Sequence, residues 1–200
     1  MTASPNIHSA ADMTGTKAGM MVVVVGPSGA GKDTLMNIAA KHFAGRRDVH
    51  FVRRVITRDG EAGNEDHLSV SVAEFFAMDR AGSFAVCWDA HGLKYGIPAA
   101  VRQELSQGHL VIANGSRSVL DRFQAAFPRL KVLNITARPE VLAERLIARG
   151  RETREDIIKR LERGSLTVQG TYDVTDIDNS GKLEDAARTI VEKLETLLKG

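Results

Sequence analysis

Met20-Met21-Val22-Val23-Val24-Val25-Gly26-Pro27-Ser28-Gly29-Ala30-Gly31-Lys32-Asp33 is an apolar, strand-like run that ends in a glycine-rich loop closed by a lysine. The next stretch, Lys32–Phe43, carries Leu35, Met36, Ile38, Ala39 and Phe43 at helical spacing. Strand, loop and helix in this order are the context that a phosphate-binding loop requires. Successive backbone N–H groups and the helix start hold a β-phosphate, and Lys32 sets a cation against the β and γ oxygens. The chain is therefore read as a user of nucleoside triphosphate. One position departs from the pattern: Asp33 stands where a Ser or Thr hydroxyl ordinarily reaches Mg²⁺. Either its carboxylate takes part in metal coordination or the match is accidental.

The 200 residues suffice for one core with a small appendage. We expect a flexible tail over 1–19, which is rich in Ala, Thr and Ser, and a single α/β domain over 20–200. A net charge of +2, from 27 basic against 25 acidic residues, allows acidic substrates without demanding a nucleic-acid surface. Cys87 is the only cysteine, so an intramolecular disulfide and a thiolate-rich zinc site are excluded, which suits a reducing, cytoplasmic setting. The apolar run 20–25 is too short to span a membrane.

Outward from the loop, Val49–Ile56 reads as a second strand ending in Thr57-Arg58, and 59–66 as a polar excursion leading through 68–72 to a short helix, Val72–Arg80. Phe84–Trp88 is strand-like, and 89–96 reads as a shaped loop between glycines. Pro98 is expected to open a helix to Gln107. His109–Ala113 is a buried strand stopping at Asn114-Gly115-Ser116-Arg117, ahead of a helix Val119–Phe127. Leu130–Thr136 repeats the strand signal, and a helix runs from Pro139 through Arg149. Tyr172–Ile177 and Leu183–Leu198 supply a last strand and helix. Repeated strand–helix units give a doubly wound parallel sheet with functional loops beyond the carboxyl ends of its strands.

Several side chains in those loops suit phosphate chemistry. Arg145 and Arg149 are four apart and share a helical face, with Arg151, Arg154, Arg160 and Arg163 beyond them. Taken alone they read as a solvated, salt-bridged hairpin, but beside a phosphate loop they read as an arginine clamp on a lid hinged at Gly150. Arg58 is the better anion ligand of its strand, whereas Arg53 and Arg54 read as solubilising strand-end groups. Tyr95 either hydrogen-bonds a phosphate or packs its ring on the sheet. His67 and His91 lack zinc-ligand spacing and read as polar anchors for substrate. Trp88 and Cys87 read as packing residues.

In their order along the chain, Gly26–Lys32, Thr57-Arg58, Gly92–Gly96 and Arg145–Gly150 with Arg160-Leu161 resemble the guanylate kinase pattern, over nearly everything from 20 to 198. The resemblance is closer to its ribose 1,5-bisphosphate phosphokinase branch, enzymes of phosphonate metabolism, which joins Gly31-Lys32-Asp33 to Ile56-Thr57-Arg58, Trp88–Gly92, Asn114–Arg117 and Arg149–Glu152. Departures from the nucleotide kinases concern the base. Val86 stands where that family has a guanine-binding glutamate, Ala113–Arg117 replaces an Asp-rich strand end, His67 replaces a tyrosine, and the second arginine after Arg58 is missing.

The resemblance implies an α/β P-loop kinase with a central parallel sheet flanked by helices, a small substrate-binding insert at about 57–95 and an arginine-rich helical lid at about 145–165. It implies transfer of the γ-phosphoryl group of ATP to the 1-phosphate of ribose 1,5-bisphosphate, giving 5-phosphoribosyl 1-diphosphate (PRPP) and ADP. Gly26, Pro27, Ser28, Gly29, Ala30, Gly31, Lys32, Asp33 and Thr34 would bind ATP, with Mg²⁺ on Asp33 and Thr34. Lys32, Arg145 and Arg149 would be catalytic. Arg58, His67, Asp89, His91, Tyr95, Asn114, Ser116 and Arg117 would contact the acceptor. The expected partners are ATP and a small phosphorylated sugar, with no nucleic acid or membrane, and a homodimer is allowed. The alternatives are a guanylate kinase with rewired base recognition and a nucleotide-regulated binding module.

Overall fold

Val22, Val23, Val24 and Val25 are all fully buried, so both faces of the first strand are covered, as a central strand of a parallel sheet requires. The computed structural model describes residues 18–58, 66–148, 168 and 170–200. Strand β1 (Met20–Val25) lies between β7 (Leu110–Asn114) and β8 (Leu130–Thr136), with β2 (Val49–Phe51) outside β7 and β9 (Val174–Asp178) outside β8. All four pairings are parallel. Alternation sends Val22 and Val24 to one face, where they pack on Leu35, Met36 and Ala39 of α1 (Lys32–His42). The same cluster takes in Ala186, Ala187, Ile190 and Leu194 of the C-terminal helix, α6 (Leu183–Lys199). Met21, Val23 and Val25 pack on the other face against Leu120 and Phe123 of α4 (Leu120–Ala126) and Val101 of α3 (Val101–Ser106). The sheet is doubly wound.

A second sheet lies on this other face. Its order is β4 (His67–Ser69), β3 (Arg54–Ile56), β6 (Leu93–Pro98), β5 (Phe84–Ala90). Strands β3 and β4 pair in parallel, while β6 runs antiparallel to both its neighbours. Ile56, Val86, Trp88, Tyr95 and Ile97 join the cluster of Met21, Val23 and Val25, so the two sheets share one core. Helix α2 (Val72–Arg80) stacks Phe75 on Phe84 of β5. It starts at Ser71, whose hydroxyl accepts from the Glu74 N–H while the Glu74 carboxylate accepts from the Ser71 N–H. These backbone and side-chain hydrogen bonds hold the Glu74 carboxyl below its usual pKa.

Four expectations need correction. Val49–Ile56 is two strands on different sheets: Val52 N–H still bonds the Ile112 carbonyl of the parallel sheet, and from Arg54 the chain pairs with the second. Both halves are apolar enough that periodicity cannot see the transfer. Residues 89–96 form a β-hairpin, turning at His91 and Gly92 with φ of 53° and 73°, a turn that matches the strand twist. Pro98 closes β6 opposite Phe84 and does not open a helix, for the Ala99 N–H bonds Ser83 and α3 begins at Val101. Ala18 and Gly19, assigned to the tail, belong to the fold: Arg129 donates to the Ala18 carbonyl, and buried Gly19 donates to Leu105.

Phe123 is fully buried and touches both the parallel sheet and the Trp88 ring, with centroids 6.0 Å apart. Phe123→Ala is expected to cost about 3–5 kcal/mol of stability, read as a lower urea midpoint with an unchanged slope.

Candidate active site

At the carboxyl edge of β1 the backbone must turn sharply beneath neighbouring chain, and the loop glycines permit it. Gly26 has φ of 147°, and a Cβ there would lie 2.3 Å from the Ile135 carbonyl of β8. Gly31, with φ of 91°, caps α1, and a Cβ there would lie 2.5 Å from Asn179 Nδ2. A glycine cap offers no side chain to the first N–H groups of the helix, which leaves them for an anion. Lys32 folds back over the loop, its ammonium donating to the carbonyls of Gly26 at 2.9 Å and Pro27 at 3.3 Å. That places a cation above the N–H cradle.

Two further elements clasp the loop. Arg145 of α5 (Pro139–Ala148) donates to the Gly29 carbonyl at 3.4 Å and to the Asn179 carbonyl at 2.9 Å. Asn179 is 2% exposed, and its side-chain amide donates to the Ala30 carbonyl at 2.8 Å. Its Oδ1 is buried without a hydrogen-bond partner among the described residues. Sequence reasoning missed Asn179. The available signal was its position just beyond a strand's carboxyl end in an open parallel sheet.

Asp33 lies in the first turn of α1, and one of its carboxylate oxygens accepts from Asn114 Nδ2 at 2.8 Å. Asn114 is 4% exposed at the end of β7. The structure therefore makes Asn114, expected to touch the acceptor, the partner of Asp33. Such a bond fixes the plane of the carboxylate and leaves its second oxygen for a hard cation, which suits Mg²⁺, an ion commonly held by one or two carboxylates plus phosphate oxygens and water. Thr34 is exposed on the same turn. Beside this pair lies a cleft of about 170 Å³ lined by Asp33, Met36, Asn37, Ala40, Phe51, Val52, Arg53, Asp66 and Asn114. Arg53 and Asp66 form an exposed ion pair at 2.8 Å on its rim.

The other expected acceptor residues are spread over four places. Tyr95 and His67 are buried in the second sheet, Tyr95 stacked on Trp88 with centroids 5.3 Å apart and His67 hydrogen-bonded to Ser69 Oγ at 3.2 Å. Arg58 lies just past β3, half-buried. Ser116 caps the short 3-10 turn Arg117–Val119 by accepting from the Ser118 N–H, and burial lowers the pKa of the Arg117 guanidinium. Asp89 and His91 sit at the exposed end of the β5–β6 hairpin, where Asp89 is tied to Lys94 at 2.8 Å. Arg54 reverses its sequence reading. It is 7% exposed, with its guanidinium carbon 5.1 Å from the Tyr95 ring centroid and 5.8 Å from that of Trp88. Arg149 and most of the expected lid lie outside the described residues. Among the described residues no helix is long and apolar enough to cross a membrane.

Comparison with known proteins agrees with this geometry. The guanylate kinase family model matches residues 18–198. A protein of Rhizobium etli named ribose 1,5-bisphosphate phosphokinase is 68% identical over 92% of this chain and 93% of its own length. One of the same name from Agrobacterium fabrum is 62% identical over 88% and 96%. The crystal structure of guanylate kinase from Anaplasma phagocytophilum superposes with a TM-score of 0.66 at 18% identity, covering 92% of this chain and 89% of that one, a likeness of fold.

Asn114→Ala frees the Asp33 carboxylate to rotate. It is expected to raise the Mg²⁺ concentration needed for half-maximal phosphoryl transfer by about 10–100-fold. A Mg²⁺ titration at fixed ATP checks this, and a larger rise in the acceptor KM than in the Mg²⁺ requirement would return Asn114 to the acceptor.

Proposed function

From a chain that belongs to the guanylate kinase family, with relatives named ribose 1,5-bisphosphate phosphokinases over nearly its whole length, we propose a kinase that phosphorylates ribose 1,5-bisphosphate at its 1-phosphate. ATP is the donor, and the products are 5-phosphoribosyl 1-diphosphate and ADP. The identity of 68% to a relative of that name carries the acceptor. The structure agrees with it at Val86, the position where the nucleotide kinases carry a base-reading glutamate. Val86 is 5% exposed within the apolar cluster between the sheets, so no carboxylate is available there to pair with a purine edge.

The acceptor phosphate is already ionised near neutral pH, so its oxygen can attack the γ-phosphorus without a side-chain base. One P–O bond forms to the acceptor phosphate, the bond to the β-phosphate oxygen breaks, and ADP leaves with the electron pair. Positioning and charge stabilisation are then the protein's whole task. The N–H groups of Gly29–Lys32 hold the β-phosphate. Lys32 is assigned to the β and γ oxygens, leaving its two loop carbonyls, and Arg145, held on the Gly29 and Asn179 carbonyls beside the loop, is assigned to the transferring group. Arg149 is assigned the same task from the lid. Asp33, with Thr34 on the same turn, would hold Mg²⁺, which when bound neutralises charge on the β and γ phosphates. Arg58, Tyr95, His67, Ser116 and Arg117 are assigned to the acceptor, as are Asp89 and His91 at the exposed hairpin end. Both substrates belong to the cytoplasm, where we place the enzyme.

Purified protein with ATP and Mg²⁺ is expected to phosphorylate ribose 1,5-bisphosphate and to leave GMP, dGMP and AMP unchanged. A higher kcat/KM for GMP would replace this reading with guanylate kinase activity, and no turnover of any acceptor would favour a binding module. Lys32→Ala should lower kcat/KM by about 10²–10⁴-fold with the far-UV circular dichroism intact, since it removes charge from the transferring oxygens and nothing from the core.

A further inference from the structure

We propose that Asn179 is the positioning residue of the phosphate loop, setting the Ala30–Gly31 peptide so that the Gly31 N–H is aimed at the β-phosphate of the nucleotide. This deepens the ATP half of the function proposed above and rests on it. A trans peptide is planar, with the carbonyl of one residue and the N–H of the next on opposite sides. The Ala30 carbonyl accepts from Asn179 Nδ2 at 2.8 Å, on the buried side of the loop. The Gly31 N–H therefore points the other way, from a residue that is half-buried. Among the described residues nothing accepts from it, whereas the Ala30 N–H is spent inside the loop on the Pro27 carbonyl at 3.2 Å. Gly31, the cap of α1, thus presents an N–H that is left for an anion.

The loop's own backbone does not set that direction. Turning the Ala30–Gly31 plane over changes ψ of Ala30 and φ of Gly31, and glycine accepts φ of either sign. Gly31 sits at φ of 91°. Asn179 demands the same glycine, since a Cβ at position 31 would lie 2.5 Å from its Nδ2. The residue that lets the amide approach is thus the one whose freedom the amide removes. In the turned-over plane the Ala30 carbonyl oxygen would stand where the N–H stands, and it would repel a phosphate oxygen. The anchor itself is firm. The Asn179 N–H donates to the Thr136 carbonyl at 2.8 Å, and the Asn179 carbonyl accepts from Arg145 at 2.9 Å. Asn179 is 2% exposed, yet its Oδ1 has no hydrogen-bond partner among the described residues. A half-satisfied buried amide is unfavourable to folding on its own account, which points to a task for its donor half.

The test titrates ADP and AMP, each with Mg²⁺, into wild type, Asn179→Ala and Asn179→Leu. The ratio of the AMP Kd to the ADP Kd isolates what the β-phosphate contributes. Asn179→Leu keeps nearly the same shape without either polar atom, so it tests the donor apart from the packing. Both variants are expected to lower the ratio by about 10–100-fold through the ADP Kd, the size of one hydrogen bond to a charged group, with the AMP Kd unchanged. In ¹⁵N–¹H spectra the Gly31 amide resonance should move when ADP is added to wild type and stay in place in the variants. A merely structural role would weaken both nucleotides together, and that outcome, or an unchanged ratio, overturns the proposal. A Gly31 amide that ADP does not move in wild type overturns it without any variant, so the measurement decides even if neither variant folds. Wild type that binds neither nucleotide removes the ATP assignment and this inference together, whereas wild type that binds ADP with the Gly31 amide unmoved removes this inference alone.

Discussion

The contact on which the rest of the structure depends is the 2.8 Å hydrogen bond from the buried amide of Asn179 to the carbonyl of Ala30. It requires glycine at position 31, and it joins the phosphate loop to the loop that follows the last parallel strand. The Asn179 N–H bonds Thr136 at the end of β8, and the Asn179 carbonyl receives Arg145 from α5. One residue therefore relates the loop to an edge strand, an inner strand and the helix that bears the clamp arginine. Preorganised donors act on developing charge only if they do not move as it develops, and a buried amide network supplies that rigidity.

Among the described residues, the second sheet is joined to the first by packing, not by strand pairing. Chain leaves the parallel sheet at Val52, crosses Arg53 and enters β3 within two residues, so the cleft wall is this crossing itself. The inner face of that sheet is unusual for carrying Arg54 and His67 among apolar and aromatic neighbours.

Much of this was legible in residue order. Leu130–Thr136 and Val72–Arg80 have the bounds that their patterns predict, because each run is long, periodic and bracketed by turn or capping residues. The loop at 26–33 was legible because only glycine permits its backbone. Arg54 was not, since a strand residue's exposure depends on which sheet it joins, and the switch at Val52–Arg53 leaves no mark in apolar periodicity. Asn114 was legible as a strand-end polar group, but its partner lies 81 positions away and only the fold reveals that it holds Asp33. His91-Gly92 shows the converse: a two-residue turn was present in the sequence, yet the polar composition around it resembled a longer loop.

Trp88 is the only tryptophan in the chain, and it is held between the Tyr95 ring, the Arg54 guanidinium and Phe123 of α4. Tyr95 and Arg54 belong to the second sheet, while Phe123 belongs to a helix packed on the first. The indole thus occupies the seam between the two sheets. Its emission is a native optical gauge of how closely they approach one another, free of overlap from any second indole and requiring no attached dye.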